Sequence, residues 1–140
     1  MTYRSQLFTS LQNGQIRKKE WVAVRVNKSC LALLRLLQKQ GFISGFTPRI
    51  PTSDKAFAKR KTRQKELSMV WVGLKYKHKL PAISQIKQVS TSGRQSYVKL
   101  DYLARLPFYP CWILSTSQGL MTHEQALRAG LGGEVLCQIQ

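Results

Sequence analysis

Residues 111 to 122 read C-W-I-L-S-T-S-Q-G-L-M-T, from Cys111 to Thr122. The apolar tetrad at its start predicts a buried strand. Ser115 to Thr122 then read as an exposed turn leading into a helix capped by Thr122. The residues that follow, H-E-Q-A-L-R-A, place Glu124 and Gln125 in a first helical turn, and Gly130 ends it. Leu131-Gly132-Gly133 turn back into E-V-L-C-Q-I-Q, a final strand. Upstream, I-S-Q-I-K-Q-V-S and Q-S-Y-V-K-L-D-Y flank a T-S-G turn and are also strand-like. Residues 80–140 therefore read as a compact, strand-rich unit with one short helix.

Residues 1–79 differ in character. Tyr3, Leu7, Phe8 and Leu11 fall at helical spacing, with Asn13-Gly14 as the expected left-handed stop. W-V-A-V-R-V alternates as a strand with Val22, Val24 and Val26 on one side. Asn27 is the expected N-cap of a helix over Lys28 to Gln40, whose leucines form a broad apolar stripe, and Gly41 is its end. F-I-S-G-F-T-P-R-I begins a second strand and L-S-M-V-W-V-G-L-K-Y-K forms a third. Between them, residues 51–65 are strongly basic with little to fill a core, and read as a loop or hairpin tip. The fold class is α+β: a small N-terminal sheet with two helices on one face, then the strand-rich C-terminal unit.

Charge narrows the function. The 140 residues carry 23 Lys and Arg against 6 Asp and Glu, a net charge of +17. Residues 1–79 hold 18 basic and 3 acidic side chains, whereas residues 80–140 hold 5 and 3. Such a surplus predicts a polyanionic partner, nucleic acid ahead of an anionic membrane. Lys59, Arg60, Lys61 and Arg63 in the basic loop are candidate RNA contacts. No run approaches the roughly 20 apolar residues of a membrane span. Cys30, Cys111 and Cys137 form neither a C-x-x-C pair nor a zinc pattern, so no metal or cofactor is expected. His78 and His123 have no carboxylate or cysteine at catalytic spacing, and Ser115 and Ser117 lack a nucleophile elbow; the chain is not expected to be an enzyme. Hydroxyls and backbone amides at the Ser115–Ser117 turn can contact phosphate, ribose or base edges without adding charge, although such turns also serve simply as caps.

S-T-S-Q-G-L-M-T at Ser115, followed by A-G-L-G-G-E-V-L-C at Ala129, resembles the bacterial and organellar form of small-subunit ribosomal protein eight. I-S-Q-I-K-Q-V-S-T-S-G-R-Q-S-Y, L-F-T-S-L-Q-N-G and L-L-Q-K-Q-G-F-I-S-G-F extend the resemblance over almost the whole chain. It implies a two-domain protein that binds a helical junction in the central domain of small-subunit ribosomal RNA and helps it assemble beside neighbouring ribosomal proteins. Ser115, Thr116, Ser117 and Gly119 match the family's RNA-contacting turn, Tyr97 its nearby aromatic, and Glu134 the glutamate that braces the turn. Arg94 is the basic residue beside Tyr97, displaced by one from the usual position, where Gln95 stands. Gln118 replaces the lysine common within the turn, and the basic connection at 51–65 is longer than usual. This drift, the scarcity of acids and the lack of a presequence fit a mitochondrial ribosome, with a bacterial cytoplasm or plastid as the alternative. The rival function is a free-standing RNA chaperone or RNA-binding regulator on the same fold.

Overall fold

The computed structural model describes residues 3–47, 69–91, 93–107 and 110–140. Helix α1, Tyr3–Ile16, buries Leu7, Phe8, Leu11, Gly14 and Gln15, the recurrence expected of one helical face. Asn13-Gly14, expected as the stop, lie inside the helix. The left-handed residue is Lys18, φ 55°, where its N–H bonds the Gln15 carbonyl and the Lys19 N–H bonds that of Gly14. This is the paired bonding of a Schellman end, achieved without glycine. Gly14 is instead required by packing, since a Cβ there would collide with Val22 Cγ2 and lie 2.8 Å from Leu74 Cδ1. Glycine lets the helix sit directly on the sheet.

That sheet has the order β1-β3-β2, with β1 at Trp21–Arg25, β2 at Ile43–Thr47 and β3 at Met69–Leu74, all antiparallel. Val22 and Val24 face Val72 and Val70, the alternation expected from sequence. Trp21 lies on the other side, opposite Gly73, where a Cβ would come within 3.1 Å of the indole. Helix α2, Lys28–Gln40, buries Cys30, Leu33, Leu34, Leu36 and Leu37. Its ends are those predicted: Asn27 Oδ1 accepts the Cys30 N–H at 2.9 Å, and Gly41 adopts φ 85°. Because α1 packs on β1, α2 on β2, and the helices on each other, both cover one face.

The expected third strand stops at Leu74. Tyr76–Lys77 (β4) instead pairs with Leu80–Pro81 (β5), turning through His78 and Lys79, both at positive φ as this two-residue hairpin turn requires. The Tyr76 hydroxyl donates to the Lys19 carbonyl at 2.6 Å, tying this hairpin to the end of α1. The Ala82 N–H returns to the Lys75 carbonyl, so the first compact unit runs from Met1 to Ala82 and the second from Ile83 to Gln140.

In the second unit β10, Gly133–Ile139, occupies the middle of an antiparallel sheet. One edge pairs with β8, Cys111–Thr116; the other is shared by β6, Ile86–Gln88, and β7, Tyr97–Val98. The outer edge of β8 pairs with β9, Gly119–Thr122. Leu103, Leu114, Ala126 and Val135 form a core into which Val89, Val98 and Trp112 also pack. Two expectations are corrected here. Gly119–Thr122 is a strand rather than part of a turn, and Leu100–Ala104 is a short helix, α3, rather than a strand continuing from Tyr97. The α3 turn buries Leu103 and packs on α4, His123–Ala129, so this unit has two short helices. The α+β class stands.

Two substitutions test the α1 account by urea unfolding of the full chain. Gly14→Ala is expected to destabilise by about 1 kcal/mol, because overpacking against the sheet, up to about 3 kcal/mol, exceeds the gain of about 1 kcal/mol in helix propensity. Lys18→Gly is expected to stabilise by about 0.5 kcal/mol through relief of the left-handed strain, net of glycine's greater unfolded-state entropy. A stabilising Gly14→Ala would remove the packing role assigned to Gly14, and a destabilising Lys18→Gly would remove Lys18 as the left-handed end of the helix.

Candidate nucleic-acid interface

The β8–β9 connection is only Ser117-Gln118, between the paired residues Thr116 and Gly119. Gly119 has φ 107°, and no atom lies within 4 Å of where its Cβ would stand, so glycine is needed for conformation and the space beside it is open. The Thr116 hydroxyl spans the loop, donating to the Gly119 carbonyl at 2.9 Å and accepting the Gln118 N–H at 3.2 Å. The three hydroxyls of the motif thus divide. Thr116 is committed to the turn, whereas those of half-buried Ser115 and exposed Ser117 make no hydrogen bond with the described residues.

Thr122 closes the other end of β9. Its hydroxyl accepts the Gln125 N–H at 3.3 Å while Gln125 Oε1 accepts the Thr122 N–H at 3.2 Å, a complete capping box. His123, buried at the first position of α4, accepts the Trp112 N–H through Nδ1 at 3.1 Å. That bond assigns the ring proton to Nε2, which donates to the Pro107 carbonyl at 3.1 Å. His123 is therefore a clamp between α4, β8 and the segment after α3. Both of its ring nitrogens are engaged by backbone groups.

Register brings the remaining candidates into one row. Ser115 pairs with Glu134, and Glu134 with Tyr97, while Leu120 lies beyond Ser115. Directly paired residues share a face, so these side chains stand together. Tyr97 is 68% exposed, enough to present its ring to a ligand. Its hydroxyl donates to Gln95 Oε1 at 2.8 Å, so Gln95 holds the tyrosine where the family pattern places arginine. The half-buried Glu134 carboxylate makes no hydrogen bond or ion pair with the described residues; its backbone alone links Tyr97 to the turn. Arg94 is exposed three residues before Tyr97, and its backbone and that of Thr91 bond each other.

Two positioning features escape a reading of the sequence. Ser90, 1% exposed, accepts the Ser96 N–H at 2.9 Å and so fixes the residue before Tyr97. A polar residue at a strand's inward position was the only signal for it. Gly132 and Gly133, read as a turn, are sites of close approach: a Cβ on Gly132 would lie 2.6 Å from the Val98 carbonyl, and one on Gly133 would collide with that of Ser115.

The first unit exposes Arg17, Lys18 and Lys19 after α1 and Lys75, Lys77, His78 and Lys79 around the second hairpin. Arg17 and Lys19 line a polar recess of about 200 Å³ with Ser10 and Asn13. Lys59, Arg60, Lys61, Arg63 and the whole 51–65 segment lie outside the described residues. Among the described residues no helix is long and apolar enough to cross a membrane, and no group of three His, Cys, Asp or Glu could hold a metal. Cys111 is a free thiol whose pKa is raised by burial and by nearby Glu124, which keeps it protonated at neutral pH and poorly nucleophilic.

A basic α+β chain that offers unpaired hydroxyls and an exposed aromatic beside a tight turn belongs to the class of proteins built for a polyanion with local polar readout. The ribosomal protein S8 family model matches residues 4–140, and the chain belongs to that family. The small ribosomal subunit protein uS8 of Photobacterium profundum is 38% identical over 136 residues, covering 96% of this chain and 94% of its own. Its counterpart in Ehrlichia canis is 31% identical over 138 residues, covering 96% and 94%, and that of Legionella pneumophila 32% over 136, covering 96% and 95%.

Gly133→Ala is expected to destabilise the protein by about 3 kcal/mol, the upper end for overpacking, because the obstacle is backbone that cannot rotate away. Chemical-shift changes should concentrate at Ser115, Thr116 and Tyr97. A stable variant with an undisturbed β8–β9 hairpin would show that the close approach does not hold the row in place.

Proposed function

We propose that this chain is a structural constituent of the small ribosomal subunit that binds the central domain of small-subunit ribosomal RNA and supports its assembly and hence translation, alongside neighbouring small-subunit proteins. Membership of the ribosomal protein S8 family supports the reading. The observation that carries it is the pair of serine hydroxyls that bond none of the described residues, Ser115 in register with Glu134 and Tyr97 and Ser117 in the loop just beyond it. Ser115 and Ser117 donate to the RNA, Gly119 admits its backbone, and Thr116 keeps the turn in shape. Tyr97 supplies an aromatic surface and Arg94 a phosphate contact. The Glu134 carboxylate, which would repel phosphate, accepts from amide or hydroxyl donors when the RNA is in place and so braces the turn. The role is structural and no step is catalysed.

In this reading the two halves, residues 1–79 and 80–140, divide affinity and register between them. The basic half, including Lys59, Arg60, Lys61 and Arg63, supplies affinity that depends on salt and little on sequence; the C-terminal turn sets the position. We place the chain in the mitochondrial ribosome, on the strength of Gln95 and Gln118 at positions where the family pattern is basic and of the scarcity of acids. A bacterial or plastid ribosome is the alternative, and the relatives named above are bacterial. Co-purification with organellar ribosomes from isolated mitochondria is the expected result; recovery only with bacterial or plastid small subunits would exclude that placement.

Ser115→Ala combined with Ser117→Ala is expected to reduce the preference for the cognate RNA junction over random RNA about tenfold, at about 1 kcal/mol or less per lost hydrogen bond, with little change in nonspecific affinity. Equal loss on both RNAs would remove register from the turn. Neutralising Lys59, Arg60, Lys61 and Arg63 should instead weaken all RNA binding and flatten the plot of log affinity against log salt by roughly 0.7 to 0.9 per lost phosphate contact. An unchanged slope would exclude that segment. Sedimentation of a native extract with RNA crosslinking decides the main reading: co-migration with the small subunit and crosslinks at one junction are expected. A free pool crosslinked to many RNAs would identify a general RNA chaperone or regulator.

A further inference from the structure

The C-terminal unit has a second concave feature that the hydroxyl turn leaves unused. A groove of about 550 Å³ is lined by Tyr97, Val98, Tyr102, Trp112 and Val135, with Lys99 and Arg105 also lining it. Its size lies within the range of small-ligand sites. Tyr102 is 50% exposed although it meets Trp112 edge-on, with ring centroids 6.4 Å apart at 65°. Two aromatic rings that pack together yet stay open to solvent form a surface on which a planar group can lie.

We propose that this groove receives one unpaired nucleotide of the bound RNA, its base against Tyr102 and Trp112 and its phosphates at Lys99 and Arg105. The inference rests on the RNA-binding reading above. Continuity is the first argument: Tyr97 lines the groove and also stands in the row with Glu134 and Ser115, so a strand seated on the hairpin passes the groove's lip. Charge is the second. Asp101 is the one acid among the lining residues, against two cations on a chain of net charge +17. A nucleotide meets both walls at once, with its aromatic face on the rings and its anion on the cations, whereas an apolar peptide side chain would leave Lys99 and Arg105 unanswered.

The test uses the full chain and a fluorescently labelled fragment of the small-subunit rRNA central domain, titrated by anisotropy, with circular dichroism to verify folding. Tyr102→Ala is expected to weaken binding about tenfold, while Tyr102→Phe, which keeps the ring, stays near wild type. Lys99→Ala, at an exposed side chain, should lower the salt slope by about one and provides a test independent of the aromatic core. Ultraviolet crosslinks should appear in the peptide containing Tyr102. Wild-type affinity and slope in Tyr102→Ala and Lys99→Ala, while the Ser115 and Ser117 variant still loses discrimination, would overturn the groove proposal and leave the turn's role standing. Failure of the wild-type chain to prefer the rRNA fragment over random RNA would overturn the underlying reading and the groove with it. Tyr102→Ala that keeps RNA affinity but loses a crosslink to a neighbouring subunit protein would assign the groove to a protein and overturn the nucleotide.

Discussion

The close approach of β10 to its neighbours is the constraint on which the C-terminal unit depends. Gly132 and Gly133 have no room for a Cβ because the Val98 and Ser115 carbonyls occupy that space. This closeness lets one strand pair with β7 and β8 at the same level, which brings Tyr97, Glu134 and Ser115 into a single row. The row is thus a product of backbone packing, and none of its side chains needs to bond another to hold its place. A surface organised this way can leave its polar groups unspent for a ligand, because the scaffold does not require them.

The buried or structural polar groups follow the opposite rule. His123, Thr122, Ser90 and Thr116 each satisfy backbone groups at chain reversals, where helix and strand ladders leave donors and acceptors open. Gln15 is the exception, buried in α1 with no partner for its amide among the described residues, a costly arrangement for a residue beside the helix end. Across the chain, most cations lie in the first unit and the hydroxyl turn in the nearly neutral second. Charge acts at long range on any polyanion, whereas hydroxyls and an aromatic act only on contact.

How much of this was legible depended on whether local chemistry or tertiary space decided. Helix α2 reads directly, because Asn27, the leucine stripe and Gly41 all agree. The same holds for Thr122 and Gly130 around α4. The end of α1 misleads, since Asn13-Gly14 has the composition of a stop while packing against Val22 demanded the glycine for another reason. Tyr97 to Tyr102 alternates like a strand, yet β7 ends at Val98 beside Gly133, the first residue of β10, and burial of Leu103 turns the chain into α3. The candidate turn is visible through its resemblance to a family, and the fold brings three of its residues, Tyr97, Glu134 and Ser115, into one row. Its internal division, with Thr116 bonded within the turn and Ser115 and Ser117 bonding none of the described residues, required coordinates, because similar hydroxyls are told apart only by what lies within reach.

The outer side of β9 makes no ladder with the described residues, and sheet edges of this kind invite pairing with a second copy. Here the edge is four residues long, bounded on one side by Gly119 in a left-handed conformation and on the other by the cap of α4. Two approaching chains would find few bonds to exchange, and each would carry the same net charge of +17. Like charge and a short edge both oppose pairing between copies at β9, and a polyanion that neutralised the charge would leave only the shortness of the edge.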